Sequence, residues 1–266
     1  MRIVWLTDIH FDFASDRDRK SLVSRVRKAQ PDMILVGGDT GEANTFRAFL
    51  EQIHEGTGKP LYFVLGNHDY YGASIKAVKN LCKRMDLKPD GIKWLPMHGP
   101  IDASTEANSV GVLGEGGWGD HTRGRLGRMT LRDYEQIKEL QCHDPRDKTS
   151  VVKALGECAA DRLLGKLRDA VHRFDHLVIM THVPCWTGSA WHEDQRSDKW
   201  AQPFFVWGQG GDAILEVAEA NPETRFTVLS GHSHSGGIYT PLRNVVAVTA
   251  PARYRYPSIA QIMEIE

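Results

Sequence analysis

Five times along this chain a short apolar run stops at a cluster of ionisable or amide side chains. Arg2-Ile3-Val4-Trp5-Leu6-Thr7 ends in Asp8-Ile9-His10, and Met33-Ile34-Leu35-Val36 runs into Gly37-Gly38-Asp39. Leu61-Tyr62-Phe63-Val64-Leu65 ends in Gly66-Asn67-His68-Asp69. Later, His176-Leu177-Val178-Ile179-Met180 ends in Thr181-His182, and Phe226-Thr227-Val228-Leu229 leads to Gly231-His232-Ser233-His234. Short continuous apolar runs read as buried strands. Between the first three lie helical patterns: residues 16–28 set Leu22, Val23 and Val26 on one face, and residues 43–54 set Phe46, Phe49, Leu50 and Ile53 at helical spacing. Strand, helix, strand, helix, strand predicts an α/β fold with a parallel sheet and right-handed crossovers.

The rest of the chain keeps that rhythm. Helices are expected over 73–86, 131–140, 150–173 and 211–220, and strands over 91–95, 110–113, 244–249 and 258–265. A glycine-rich stretch, 114–121, precedes Arg123, Arg125, Arg128 and Arg132, and an irregular stretch, 183–208, holds Trp186, Trp191, Trp200 and Trp207. With no repeat or linker, the 266 residues read as one domain carrying inserted helical and loop segments at 114–173 and 183–208. The tryptophans are expected to pack the long loop down. His121 and His192 are expected near the mouth of any site that these loops border.

Composition excludes several classes. Hydrophobic residues at 41% and charged residues at 25% suit a soluble globular protein, and a formal net charge of −1 gives no bulk electrostatic case for nucleic acid or membrane partners. No uncharged apolar run approaches membrane-spanning length. The N-terminus enters its first strand at once, which leaves no room for a signal peptide and predicts a cytoplasmic protein. Cys82, Cys142, Cys158 and Cys185 are scattered without a Cys-x-x-Cys pair, so free buried thiols are expected rather than disulfides or a thiolate zinc site.

In an open α/β sheet, loops beyond the strand carboxyl ends converge on one crevice. An aspartate after a strand, taken singly, reads as a turn or helix cap, and a lone histidine as a packed or surface residue. Five coincident clusters read differently. Asp8, His10, Asp39, Asn67, His182, His232 and His234 offer oxygen and imidazole donors without a thiolate. That is too many for one tetrahedral ion and suits two ions sharing a bridging carboxylate.

Together, Asp8-x-His10, Gly38-Asp39, Gly66-Asn67-His68-Asp69, Thr181-His182 and Gly231-His232-Ser233-His234 resemble the motif set of the calcineurin-like metallophosphoesterases, in the family's order. The resemblance implies an α/β/β/α four-layer sandwich, its central β-sheets flanked by helices. It implies that Asp8, His10 and His234 hold one metal, that Asn67, His182 and His232 hold the other, and that Asp39 bridges them. His68 would be the catalytic imidazole over the phosphoryl group, and Asp69 its orienting partner. Two ions of Mn, Fe or Zn, roughly 3.5–4 Å apart, would clamp phosphate oxygens and supply hydroxide for direct attack on a phosphomonoester or phosphodiester.

Thr181 stands where many relatives carry glycine before the histidine. Thr40-Gly41-Glu42-Ala43-Asn44 lacks the arginine that marks protein Ser/Thr phosphatases, and Glu42 stands where purple acid phosphatases carry a tyrosine ligand. The expected substrate is therefore a small phosphoester or a nucleotide, with Arg123, Arg125 and Arg128 as candidate contacts for its anionic groups. The competing readings are a nuclease and a metal-binding scaffold of the same fold without turnover.

Overall fold

In the computed structural model, which describes residues 1–88, 91–127, 129–141 and 144–266, each of the five apolar runs is a strand. In chain order the strands are β1 (Arg2–Leu6), β2 (Met33–Val36), β3 (Leu61–Phe63), β4 (Ile92–Trp94), β5 (Ile101–Asp102) and β6 (Val110–Gly114). They continue with β7 (His176–Met180), β8 (Trp191–His192), β9 (Gln195–Arg196), β10 (Arg225–Ser230), β11 (Gly237–Leu242), β12 (Val245–Thr249) and β13 (Gln261–Glu264). The helices are α1 (Asp16–Lys28), α2 (Phe46–Thr57), α3 (Ile75–Asp86), α4 (Asp133–Gln136), α5 (Pro145–Ala170), α6 (Gln202–Phe205) and α7 (Gly208–Ala220).

Two large sheets, one ordered β13-β1-β2-β3-β4 and the other β11-β12-β10-β7-β6-β5, are accompanied by a small third one, β8-β9, among the described residues. Strands β1 to β4 are parallel, as are β6, β7, β10 and β12, while β13, β11 and β5 add antiparallel edges. Because side chains alternate along a strand, each large sheet presents two apolar faces. Ile3, Trp5, Met33 and Leu35 on the first sheet meet Val110, Val112, Val178 and Met180 on the second, forming the layer between the sheets. The opposite faces pack on helices: Val4, Leu6, Ile34 and Val36 against Leu22, Val26, Leu50 and Ile53, and Leu177, Ile179 and Val228 against Leu163, Leu167 and Ile214. Helix, sheet, sheet, helix is the observed layering.

Local signals account for the helix starts. Ser15 and Ser74 cap α1 and α3 through side-chain oxygens that accept the amides of Asp18 and Ala77. Helix α5, inside the segment expected as an insertion, is a structural layer that packs with α7 over the second sheet.

Three segments depart from the sequence expectation. The pattern over 131–140 gives only α4 and a 3₁₀ turn, since Ile137 is extended (φ −103°, ψ 119°) to place its side chain in the core. Strand β11 was hidden by Gly237 and Pro241; an edge strand tolerates both. Residues 183–208 contain the β8–β9 hairpin and α6 rather than irregular chain alone. Cys82 and Cys185 are buried free thiols as expected, Cys158 is free but exposed, and Cys142 lies outside the described residues. Among the described residues, no helix is long and apolar enough to cross a membrane.

Candidate metal centre

The loops after β1, β2, β3, β7 and β10 meet at one edge, where the two sheets adjoin. Backbone bonds fasten them: Asp8 N–H donates to Gly38 O at 3.0 Å, His10 N–H to Asp39 O at 3.0 Å, and Gly231 N–H to His182 O at 2.9 Å. Five of the donor residues turn sharply out of their strands with positive φ: Asp8 (49°), His10 (41°), Asp39 (51°), His232 (67°) and His234 (59°). Such backbone costs on the order of 1–3 kcal/mol each and collects where function needs it. The crowding is close enough that a Cβ on Gly231 would fall on the Asp8 carboxylate, and one on Gly66 would fall on Asp39.

All seven predicted donors converge. His10 Nε2 lies 3.0 Å from His234 Nε2 and 3.6 Å from Asp39 Oδ2, and His234 Nε2 lies 3.4 Å from Asp8 Oδ1. Asp8, His10, Asp39 and His234 bring one donor atom each within 4.8 Å of one another. On the other side, Asn67 Oδ1 faces His182 Nε2 at 3.1 Å and His232 Nδ1 at 3.0 Å. Asp39 stands between the groups, its Oδ2 towards His10 and its Oδ1 3.5 Å from His182 Nε2.

Hydrogen bonds behind the donors set which atom faces inward. His182 Nδ1–H donates to Gly37 O at 3.0 Å, leaving Nε2 with its lone pair for the site. His232 does the reverse, Nε2–H donating to Phe204 O at 3.0 Å and Nδ1 facing the site. Asn67 is fixed by a residue that the sequence did not announce. Its Nδ2–H donates to Asp133 Oδ1 at 2.8 Å, and Tyr71 O–H donates to the same oxygen at 2.6 Å. A carboxylate behind the amide nitrogen forbids the flipped amide, so Oδ1 must point into the site.

Charge explains why this cluster wants cations. Asp8 and Asp39 are 2% and 1% exposed, and among the described residues no lysine or arginine pairs with either. Burial, then the charges of Asp8 and Asp69, push the Asp39 carboxyl well above the usual range. For Asp8, burial is outweighed by the bond from His234 and the nearby imidazoles, which hold its carboxyl low. Burial holds His10 well below the ordinary imidazole value and lowers His232 to about 3, leaving neutral rings that can donate lone pairs. Burial opposes protonation of His234 too, but Asp8 raises it above its ordinary value. Buried carboxylates, paired with no lysine or arginine among the described residues and ringed by imidazoles and one amide oxygen, fit divalent ions.

His68 stacks on Tyr71 at 4.3 Å between ring centroids and meets His10 edge-on at 4.7 Å. Its Nδ1 is buried without a hydrogen-bond partner among the described residues, and burial lowers its pKa to about 3. Asp69 does not orient this ring. Its carboxylate instead accepts the backbone amides of Asp39, Thr40, Gly41 and Gly66 at 2.8–3.1 Å. A carboxylate surrounded by four N–H groups has no lone pair left for a side chain, so Asp69 braces the loops after β2 and β3.

A cleft of about 550 Å³ opens over the cluster, lined among others by Phe13, Tyr71, Arg132, His192, Phe205 and Tyr254. His192 therefore borders the mouth, while His121 is turned away, 2.8 Å from Tyr134 Oη and 3.3 Å from Thr149 Oγ1. Among the described residues, neither Arg123 nor Arg125 lines the cleft. Arg123 pairs with Asp212 on α7, Arg125 N–H is drawn to Lys199 O at 2.6 Å, and Arg128 lies outside the described residues. Arg132 is the arginine at the cleft. Trp207 is fully buried and donates to Gly156 O at 3.0 Å, and Trp186 is buried, so these two pack the loop.

Two large sheets, flanking helices and donors at five strand ends make up the metallophosphoesterase fold. The calcineurin-like phosphoesterase profile matches residues 1–236, and the chain belongs to that family. A Danio rerio protein named "Transmembrane protein with metallophosphoesterase domain" is 32% identical over 92 residues, covering 33% of this chain and 21% of that protein. The chain thus spans about a fifth of that curated relative. Phosphopantetheinyl hydrolase from Mycobacterium tuberculosis superposes with a TM-score of 0.65 at 13% identity, over 95% of this chain and 89% of that one. A dimetal phosphatase from Danio rerio gives 0.56 at 14% identity, over 94% and 87%. At these identities the two structures share the fold.

Proposed function

We propose that this chain is a binuclear-metal-dependent phosphoesterase that hydrolyses a small phosphomonoester or phosphodiester. In this reading Asp8, His10 and His234 hold one ion, Asn67, His182 and His232 the other, and Asp39 bridges them. The observation that carries it is the division of labour at Asp39, whose two oxygens face imidazoles of different groups, His10 and His182. The names of the solved neighbours, a phosphatase and a hydrolase, agree.

When bound, such a pair of ions supplies Lewis acidity towards phosphoryl oxygens and a water of lowered pKa. The protein's own groups do the rest. Asn67 donates an oxygen without adding negative charge, which keeps the site attractive to an anion. Asp133 and Tyr71 hold that amide, and the carbonyls of Gly37 and Phe204 hold the tautomers of His182 and His232. With its basicity lowered by burial, His68 is a neutral imidazole at pH 7, and its N–H can donate to a phosphoryl or leaving-group oxygen. Arg132 is the side chain placed to meet a substrate oxygen beyond the metals.

The test is hydrolysis of nitrophenyl mono- and diesters with added Mn²⁺. Turnover that a chelator abolishes and Mn²⁺ restores supports the reading. Two bound ions with no turnover across a broad ester panel would instead favour the scaffold.

A further inference from the structure

We propose that Phe13 and Tyr254 form a leaving-group subsite, so that the phosphoesters this cleft takes are those of alcohols carrying a planar aromatic ring. The inference rests on the phosphoesterase reading and names its substrate class.

Both rings stand at the mouth of the metal cleft, each 41% exposed. They meet edge to face, with centroids 5.0 Å apart and planes at 67°. Tyr254 also lies over two of the donor imidazoles, 4.5 Å from His10 and 4.8 Å from His234 between centroids. A ring one or two bonds from a phosphoryl group at this cluster therefore comes against Tyr254 and the edge of Phe13. Phe205 adds a third apolar surface in the same cleft. The cleft, at about 550 Å³, falls in the range of about 300–1,000 Å³ typical of small-ligand sites, far larger than a bare phosphoryl group needs.

The position of the tyrosine is built. Ala252 N–H donates to His234 O at 3.1 Å, which ties the segment to the metal loop, and Ala260 N–H donates to Trp5 O at 2.9 Å at its far end. Between them Tyr256 N–H closes a turn on Arg253 O at 3.1 Å, and the Arg253 guanidinium lies over the Tyr256 ring. Phe13 is fixed in the same way, its N–H donating to His10 O at 2.9 Å. Tyr254 also lies beyond residues 1–236 matched by the family profile, so its presence here does not follow from family membership. Aromatic side chains braced at a mouth, with faces left to solvent, suit a second ring in offset or edge-on contact.

The experiment measures calorimetric binding to the Mn²⁺-loaded protein of benzylphosphonate and its saturated counterpart, cyclohexylmethylphosphonate. These share the anionic head and nearly the same bulk. The expected preference for the aromatic ligand is roughly three- to tenfold, the worth of an aromatic contact beyond simple burial. Tyr254→Leu, which keeps apolar bulk, should bring the ratio close to one, and Tyr254→Phe should keep it. Metal content measured on each variant shows that the centre is intact. Equal affinities in the wild type, or a ratio unmoved by Tyr254→Leu, would overturn the subsite. Turnover of 2-phenylethyl phosphate with Mn²⁺ tests the underlying reading separately. A ring preference in binding with no hydrolysis defeats the phosphoesterase and leaves the subsite standing; hydrolysis with no ring preference does the opposite.

Discussion

The two imidazole pairs of the metal centre are built differently. His182 and His232 are each locked from behind by a backbone carbonyl, at Gly37 and Phe204, and their companion Asn67 is locked by Asp133 and Tyr71. His10 and His234 face each other across 3.0 Å and rest against the ring of Tyr254. Exposure does not divide them, since His10 and His182 are both buried and His232 and His234 both half-buried. In the proposed reading the locked side is preorganised for an ion, whereas the open side, with no such carbonyls behind its rings among the described residues, leans on Tyr254; Asn67, His232 and His234 all line the cleft.

Five substitutions sharpen or break that contrast. The largest effect belongs to His68, which sits beside both groups without being a donor in either. His68→Ala should lower ester turnover by about 10²–10⁴-fold while both ions stay bound, as elemental analysis would show. Loss of an ion would make His68 a ligand and redraw the open side. Asp39→Asn should weaken both ions together, because the carboxylate serves both groups; depletion of one ion alone would make the two sides independent.

Asp133→Ala is the sharpest probe of the lock. Freed from the carboxylate, the Asn67 amide can turn, and affinity on the locked side should fall by about 10–100-fold while the open side is spared. Calorimetric metal titration resolves the two. The smallest effects concern the arginines. Arg132→Ala should raise the KM for an anionic ester by about tenfold, whereas Arg123→Ala, which breaks a surface pair with Asp212, should change it by less than about twofold. Equal effects would mean that the loop carrying Arg123 reaches the cleft after all.

Much of this centre was legible in the sequence because each donor follows an apolar run. Buried strands of a parallel sheet are short and continuous, and the residue after each is delivered to a known edge, so Asp8, Asp39, Asn67, His182 and His232 announce themselves. What stayed hidden is what comes from afar. Asp133 reaches Asn67 across 66 positions of sequence, from a stretch whose charges look like solvated surface. Tyr254 follows the apolar run of β12, which ends at the same edge, but it stands five residues past the strand's end, where spacing no longer fixes direction. The arginine cluster misled for a related reason, since spacing shows that guanidinium groups are close in sequence but not which carboxylate claims them. Beside Asp69 the neighbour His68 suggests a side-chain partner, while the tight turns after β2 and β3 offer it four backbone amides instead.

The number of ions gathered around Asp39 decides whether the centre is binuclear. Titration of the chelator-stripped protein with Mn²⁺, followed by calorimetry and by elemental analysis after gel filtration, counts them directly. Two ions per chain are predicted, the first filling the side held by Asn67, His182 and His232. A single ion at saturation would contradict a bridging role for Asp39 and, with it, the binuclear centre.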